Sequence, residues 1–237
     1  MVTQQFEQRT RELIDSLKAI CAAYGLGNDG NEFKIITQVF LYKFLNDKFA
    51  FEAKKIRPEL ANAESWEAAI AAMNPDDREM LQMQMGPDTA RLKPEHFIAH
   101  LFGRQNAPEF AKLFDDTLRD IAITNNDIFA VKTDGGAKIT LFDRVSEFIT
   151  DTSKRDAFCR AIINKLGDFS FERIFSEKYD FYAALFEYLI KDYNKDSGGK
   201  YADFTVLEDD PQAIEPVQLK DVKVWGTVLG GKKQQIQ

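Results

Sequence analysis

Two histidines, His96 and His100, are the first residues whose type and spacing could support chemistry. They are four positions apart in "PEHFIAHLF", so a helix would place both rings on one face. Two imidazoles arranged in this way can bind zinc, and in the metalloprotease pattern a glutamate directly follows the first histidine. Phe97 stands at that position, Glu95 precedes the histidine, and no third ligand is suggested. We therefore predict no metal site and interpret both histidines as surface or hydrogen-bonded residues.

Other catalytic patterns are weaker still. The segment "GLGNDG" at residues 25–30 has the glycine spacing of a dinucleotide-binding loop, but it follows a predicted helix instead of a strand. The acidic pairs Asp76-Asp77 and Asp115-Asp116 occur in polar stretches, where solvated charge is the simpler interpretation. We predict a loop between two helices and solvated carboxylates.

The two cysteines, Cys21 and Cys159, each lie within an apolar helical pattern. This placement predicts buried, reduced thiols, which are typical of cytosolic proteins. No apolar run approaches the ~18 residues of a membrane span, and "MVTQQFEQRTREL" lacks the apolar core of a signal peptide. We expect a cytoplasmic protein with no membrane contact.

Five basic residues on and after a long predicted helix could contact nucleic acid: Lys43, Lys48, Lys54, Lys55 and Arg57. The chain as a whole is acidic, with 31 Lys and Arg against 38 Asp and Glu and a net charge of −7. Bulk attraction to DNA is therefore excluded, and any contact must come from a local patch or a partner. Cations near the end of a helix are also expected from the helix dipole alone. Phosphate contact and stabilisation of the helix end are thus two open interpretations.

The elements that would position these residues are nearly all helical. The basic residues follow a periodic apolar pattern that predicts a helix over about residues 31–51. Further helical patterns include residues 140–150, and the segment 124–139 is a predicted loop. Starts of shorter helices are predicted at Ser65, at Asn74-Pro75, at Pro94, at Asn106 with Pro108, and at a capping box formed by Ser153 and Asp156. The predicted fold class is mainly α, a multi-helix orthogonal bundle.

The end of the chain has a different composition. Pro211 and Pro216 disfavour helix, and apolar residues alternate from Val217 to Val224. With a predicted turn at Trp225-Gly226, this pattern predicts a short extended or β-hairpin tail. The glycine pair at 198–199 marks the predicted boundary between a helical domain, 1–197, and a turn with an atypical tail, 198–237.

Two stretches, "NEFKIITQVFLYKFLNDKF" and "YAALFEYLIKDYNKDSGGKYADF", resemble the modification (M) subunits of type I restriction-modification systems. These subunits are adenine-specific DNA methyltransferases, and the resemblance covers their helical N-terminal domain over about residues 5–200. In that family a Leu-x-Glu-x-Leu-Ile motif precedes a glycine-containing turn. Leu185, Glu187, Leu189 and Ile190 match the motif, and residues 198–202 match the turn.

The resemblance implies that the turn leads to the S-adenosylmethionine pocket. The corresponding positions are Lys200, Asp203, Phe204 and Thr205, although Asp203 replaces a glutamate and the proline of the family pattern is absent. The sequence contains neither an Asp-x-x-x-Gly-x-Gly turn nor the Asn-Pro-Pro-aromatic motif that holds a flipped adenine. The roughly 35 remaining residues are also too few for the doubly wound sheet of such an enzyme. We expect a truncated start of the methyltransferase domain, with no cofactor bound and no methyl transfer by this chain alone.

The function implied by the resemblance is DNA clamping and subunit interaction. The implied partners are a specificity (S) subunit, a second M subunit, the restriction subunit and double-stranded DNA. Self-association is a further expectation, because aromatic residues are abundant in the helical pattern before residue 194. Two alternatives stay open: an active methyltransferase, and an unrelated helical scaffold or regulatory protein without enzymatic activity.

Overall fold

The structure is a computed structural model that describes residues 2–27, 30–87, 89–126, 141–172, 175, 204–207, 224–229 and 232–235. The chain divides into two compact units, Met1–Phe181 and Tyr182–Gln237. The described part of the first unit is helical, which confirms the predicted mainly α fold class. The predicted boundary at residues 197 and 198 lies outside the described residues.

The described part of the first unit contains α-helices joined by short 3₁₀ turns. The α-helices are α1 (Val2–Ala23), α2 (Gly30–Ile56), α3 (Trp66–Ala72), α4 (Pro75–Gln84), α5 (Ile98–Gly103), α6 (Phe110–Thr124) and α7 (Arg155–Gly167). The 3₁₀ turns are η1 (Pro58–Asn62), η2 (Pro94–His96), η3 (Val145–Phe148) and η4 (Thr152–Lys154). None of the described helices is long and apolar enough to cross a membrane.

The central helix is α2, which is buried around much of its circumference. Ile35, Phe40 and Leu45 point in different directions from its axis, and all three are buried. A helix that is apolar on several sides belongs in the middle of a core. The helix extends past its predicted end and stops just before Arg57, whose backbone is not helical, at φ −122° and ψ 85°, ahead of Pro58. Proline disfavours the helical conformation of the residue before it, so the sequence explains this stop.

A second core element is α7, which packs against α1, α5 and α6. Its buried side chains recur at helical spacing and include Phe158, Ile162 and Leu166. Cys159 lies on the same buried face, and Cys21 is buried in α1; both are free thiols. The predicted buried, reduced cysteines are confirmed.

Helix starts that depend on neighbouring residues follow the prediction. Ser65 Oγ accepts a hydrogen bond from the Ala68 N–H at 3.1 Å and caps α3. Asn74 Oδ1 accepts one from the Asp77 N–H at 2.8 Å and caps α4, with proline at the first helical position. Both caps satisfy N–H groups that have no partner within the helix.

The start of α6 differs from the prediction. The residue before this helix is Glu109, in the left-handed region at φ 55°, and no side chain in the preceding segment, including Asn106, caps it. The cap comes instead from α7, where Asp156 accepts a hydrogen bond from the Ala111 N–H at 2.8 Å. A carboxylate near a helix N-terminus is favoured by the helix dipole, and here a neighbouring helix supplies it.

Two further predictions are wrong for the same reason. The capping box of Ser153 and Asp156 does not form, because Asp156 bonds to α6 and the Ser153 N–H donates to Asp151 at 3.1 Å. The segment 140–150 was expected to be helical, but its described residues contain only the 3₁₀ turn η3. Distant partners hold one group in each segment, because Asp156 is bound by α6 and the Ser146 N–H within η3 donates to Asp115.

The described residues of the second unit form a three-stranded antiparallel sheet in the order β1-β2-β3. Its strands are β1 (Phe204–Leu207), β2 (Val224–Leu229) and β3 (Lys232–Gln235). The consecutive antiparallel strands β2 and β3 agree with the predicted β-hairpin tail. The predicted turn at Trp225-Gly226 is wrong, because β2 continues through both residues. The alternating residues 217–222 lie outside the described residues.

Candidate functional site

Four of the five basic residues singled out from the sequence lie at the surface around the C-terminal end of α2. Lys48, Lys54, Lys55 and Arg57 have side chains that are 26%, 23%, 59% and 31% exposed. We call these four residues the basic surface. The three lysines are positioned by two turns of one helix, and Arg57 follows where Pro58 ends it.

The fifth basic residue, Lys43, lies in the core. Its side chain is 6% exposed, and its Nζ is 3.0 Å from Asp47 Oδ1 one helical turn later. A buried ammonium that leaves its counter-ion is strongly penalised, so Lys43 cannot reach out to a phosphate. Lys43 is therefore removed from the predicted DNA-contacting set and is a structural residue.

Each cation of the basic surface is paired with a carboxylate. Glu52 accepts hydrogen bonds from Lys48 at 2.7 Å and from Lys55 at 2.8 Å. Both oxygens of Glu172 contact the Lys54 ammonium, at 2.8 and 2.9 Å. Arg57 and Glu59 form a longer pair at 3.8 Å. Four cations thus face three carboxylates, which leaves only a small excess of positive charge.

The pKa of Glu52 reports this balance. Burial acts to raise the pKa of this carboxyl, but hydrogen bonds from Lys48 and Lys55 outweigh burial and hold it below its ordinary value. Glu52 therefore carries its negative charge at neutral pH and acts as the shared counter-ion of two lysines.

Aromatic rings lie next to the ammonium groups of Lys48 and Lys54. Lys48 Nζ lies 5.6 Å from the centre of the Phe51 ring and 5.5 Å from that of Phe175. Lys54 Nζ lies 5.9 Å from the Trp66 ring. Separations within about 6 Å permit cation–π attraction, which favours a fixed position for each charge. Ring contacts therefore help to hold the Lys48 and Lys54 ammonium groups in position.

The partner of Lys54 comes from a short segment, residues 169–172, that lies along α2; we call it the strap. The Phe171 N–H donates a hydrogen bond to Asp47 Oδ2 at 2.7 Å. The Phe171 ring is buried and lies 5.9 Å from the Phe40 ring and 4.7 Å from the Phe169 ring. No local sequence pattern links the strap to α2, and sequence reasoning missed Glu172.

A buried polar network joins Lys43 to the strap through Asp47. Asp47 Oδ1 also accepts a hydrogen bond from Asn46 Nδ2 at 3.0 Å. Asn46 Oδ1 in turn accepts the Ile98 N–H at 3.1 Å, at the start of α5. Burial raises the pKa of Asp47, and the Lys43 charge and these hydrogen bonds oppose that rise. The network stabilises the contacts of α2 with two distant parts of the chain.

The histidine pair does not form a zinc helix. His96 is buried in η2, and its Nδ1 accepts the Lys93 N–H at 3.2 Å. Its Nε2 lies 2.7 Å from Asp120 Oδ2, so the neutral ring carries its proton on Nε2 and donates to that carboxylate. Burial lowers the pKa of His96, although the bond to Asp120 opposes the shift. Within the described ranges, no three His, Cys, Asp or Glu side chains are grouped to hold a metal ion.

A cavity of about 480 Å³ lies between the starts of α6 and α7 and the turn η3. Asp115, expected to be solvated, is buried at its edge and accepts two hydrogen bonds from Ser146: one from the hydroxyl at 2.6 Å and one from the N–H at 3.1 Å. Burial raises the pKa of Asp115. Because both its oxygens serve Ser146, this carboxylate fixes η3 against α6.

The predicted cofactor-binding residues are only partly placed. Phe204 and Thr205 lie in β1, opposite Val228 and Thr227 of β2. Lys200 and Asp203 lie outside the described residues. The S-adenosylmethionine role of these four positions stays a prediction.

The described residues define a mainly helical protein whose central helix ends at a basic surface that is nearly balanced in charge. No protein-family model, curated protein or solved structure matches the chain.

Proposed function

We propose that this chain is the N-terminal DNA-clamping and subunit-interaction domain of a type I modification subunit, acting in the cytoplasm. The observation that carries the proposal is the set of three lysines, Lys48, Lys54 and Lys55, at the surface near the C-terminal end of α2. The resemblance at Leu185, Glu187 and the following glycine turn supports the family; these residues lie outside the described part of the chain.

DNA would bind to the basic surface through its phosphate groups. Phosphate oxygens approach the lysine ammonium groups from solvent and replace carboxylate oxygens as their hydrogen-bond acceptors. Each phosphate so neutralised releases condensed counter-ions, and the logarithm of the affinity falls by about 0.9 per tenfold rise in salt. Four cations would therefore give a slope of at most about 3 to 4. The binding would be weak in the isolated chain, since its net charge of −7 repels DNA.

The test is the salt dependence of affinity for a labelled DNA duplex, measured by fluorescence anisotropy. The variant Lys54→Gln/Lys55→Gln/Arg57→Gln removes three cations of the basic surface. We expect its salt slope to be smaller by about 2 to 3 than that of the wild type.

A matched control is Lys112→Gln/Arg144→Gln/Lys154→Gln. These cations are more than half exposed, and each pairs with a nearby acid, as the cations of the basic surface do. The control changes the net charge by the same amount and should leave the slope close to the wild-type value. If the variant of the basic surface and its control showed the same salt slope of DNA affinity, the DNA-clamping role would be refuted.

Subunit interaction is tested separately by gel filtration with a specificity subunit and its cognate duplex. A shared peak at higher mass is the expected result. Under the proposal, methyl transfer and S-adenosylmethionine binding belong to the complete M subunit and not to this chain alone. Heat released on titrating the chain with S-adenosylmethionine would contradict that division.

A second candidate is a helical scaffold or regulatory protein without enzymatic activity. The pairing of every cation of the basic surface with a carboxylate favours it, because such a surface is already neutralised. This candidate predicts no salt-dependent DNA affinity and no complex with the specificity subunit.

A further inference from the structure

We propose that Glu172 is an intramolecular competitor for phosphate, and that the strap is an autoinhibitory contact on the basic surface. In the free protein the Glu172 carboxylate occupies the Lys54 ammonium, and a bound phosphate group displaces it. This inference rests on the proposed function and specifies how DNA binding by the same surface is regulated.

The geometry at Lys54 resembles anion binding. Two carboxylate oxygens lie 2.9 and 2.8 Å from a single Nζ atom, as two oxygens of a phosphate could. Both side chains are partly exposed, at 23% and 28%, so an incoming anion can approach from solvent. An exposed ion pair of this kind contributes little net stability and can be exchanged for another.

Glu172 differs from the other carboxylates of the basic surface in its origin. Glu52 lies in the same helix as its lysines, and Glu59 is two residues from Arg57. Glu172 is 118 positions away from Lys54. Glu172 therefore ties a separate segment of the chain to the basic surface, whereas Glu52 pairs with lysines of its own helix.

The strap has an inner and an outer attachment. The inner attachment is the buried hydrogen bond from the Phe171 N–H to Asp47. The outer attachment is the ion pair of Glu172 with Lys54. Loss of the outer contact leaves the inner one in place, so Glu172 can swing away while Phe171 stays buried.

Reciprocal coupling follows from this arrangement. If the Glu172 carboxylate and a phosphate compete for Lys54, the carboxylate weakens phosphate binding by some factor. Removing the Glu172 charge must then strengthen phosphate binding by that factor. The chain also offers a control for net charge, because Glu147 pairs with Arg144 at 3.0 Å, outside the basic surface.

The experiment compares Glu172→Gln, Glu147→Gln and wild type for affinity to the same labelled duplex over a salt series. We expect Glu172→Gln to bind about two- to fivefold more tightly, the range that loss of one partly exposed ion pair permits. Its salt slope should stay close to that of the wild type, because the same number of phosphates is neutralised in both proteins. Glu147→Gln should bind as tightly as the wild type, and Lys54→Gln/Glu172→Gln should bind no more tightly than Lys54→Gln.

A second readout is hydrogen exchange of a peptide that covers the strap. Addition of the duplex to wild-type protein should speed exchange at Glu172 and leave the Phe171 amide protected. Equal affinities for Glu172→Gln and Glu147→Gln would overturn the autoinhibitory contact. In that case the proposed function would still stand, provided that Lys54→Gln/Lys55→Gln/Arg57→Gln lowers the salt slope. An unchanged slope for this triple variant would overturn both the proposed function and the autoinhibitory contact.

Discussion

Replacing Asp47 by asparagine would remove the counter-charge of a lysine that lies inside the core. Lys43 and Asp47 are separated by one helical turn, with 3.0 Å between Nζ and Oδ1, and their side chains are 6% and 5% exposed. Asparagine keeps the size of the side chain and an oxygen for the Phe171 N–H, but its NH2 group replaces the acceptor of Lys43 and Asn46. The change therefore removes the negative charge and one buried acceptor.

The magnitude follows from the burial of the pair. Removing one partner of a buried ion pair typically costs about 3–5 kcal/mol, because the other charge is left in the core without compensation. In a protein of this size each kcal/mol lowers the melting temperature by about 2–4 °C. We expect Asp47→Asn to melt about 6–20 °C below wild type.

The control is Asp116→Asn, which breaks a pair of the same residue types at the same spacing. Lys112 Nζ and Asp116 Oδ2 are 3.3 Å apart, but these side chains are 72% and 47% exposed. An exposed pair in a helix contributes about 0.3–0.5 kcal/mol, so this variant should melt within about 2 °C of wild type. Urea denaturation at neutral pH gives the two free energies of unfolding directly.

Equal losses for Asp47→Asn and Asp116→Asn would refute the reasoning, since burial would then have no effect on the cost. The other partner of this buried ion pair tests the assignment of Lys43 as a structural residue. Lys43→Gln should lower the free energy of unfolding and leave the salt slope of DNA binding unchanged.

Burial lowers the pKa of His96, so below about 6.5 the unfolded chain binds more protons than the folded protein, and stability falls as the pH drops through that value. Urea titrations should show a contribution of at most about 1.4 kcal/mol per pH unit that disappears in His96→Gln. Asn125→Ala removes hydrogen bonds to the N–H and C=O of Arg91, at 2.6 and 3.0 Å, and should cost about 2–3 kcal/mol in the same assay. Burial raises the pKa of Cys21 to about 12, and Cys159 is also buried, so a thiol reagent should label both only after denaturation.

Properties that depend on a few neighbouring residues were predictable from the sequence. Ser65 and Asn74 cap their helices because each side chain reaches an N–H three residues ahead. The apolar periodicity of α2 and α7 predicted core helices, since a 3.6-residue repeat places those side chains on faces that must avoid water. Pro58 explains why α2 ends at Ile56, although the apolar pattern predicted an end near residue 51.

Only the tertiary structure decided which polar groups from distant parts of the chain meet. Asp156 caps α6 instead of its own helix, Asp115 is buried against Ser146, and Glu172 occupies Lys54 across 118 positions. The five basic residues look equivalent in the sequence, yet packing places Lys43 in the core and the other four at the surface. Helix periodicity determines which side chains share a face, but Coulomb attraction and hydrogen bonding act over a few ångströms, and only the packing of distant segments brings their groups within that range.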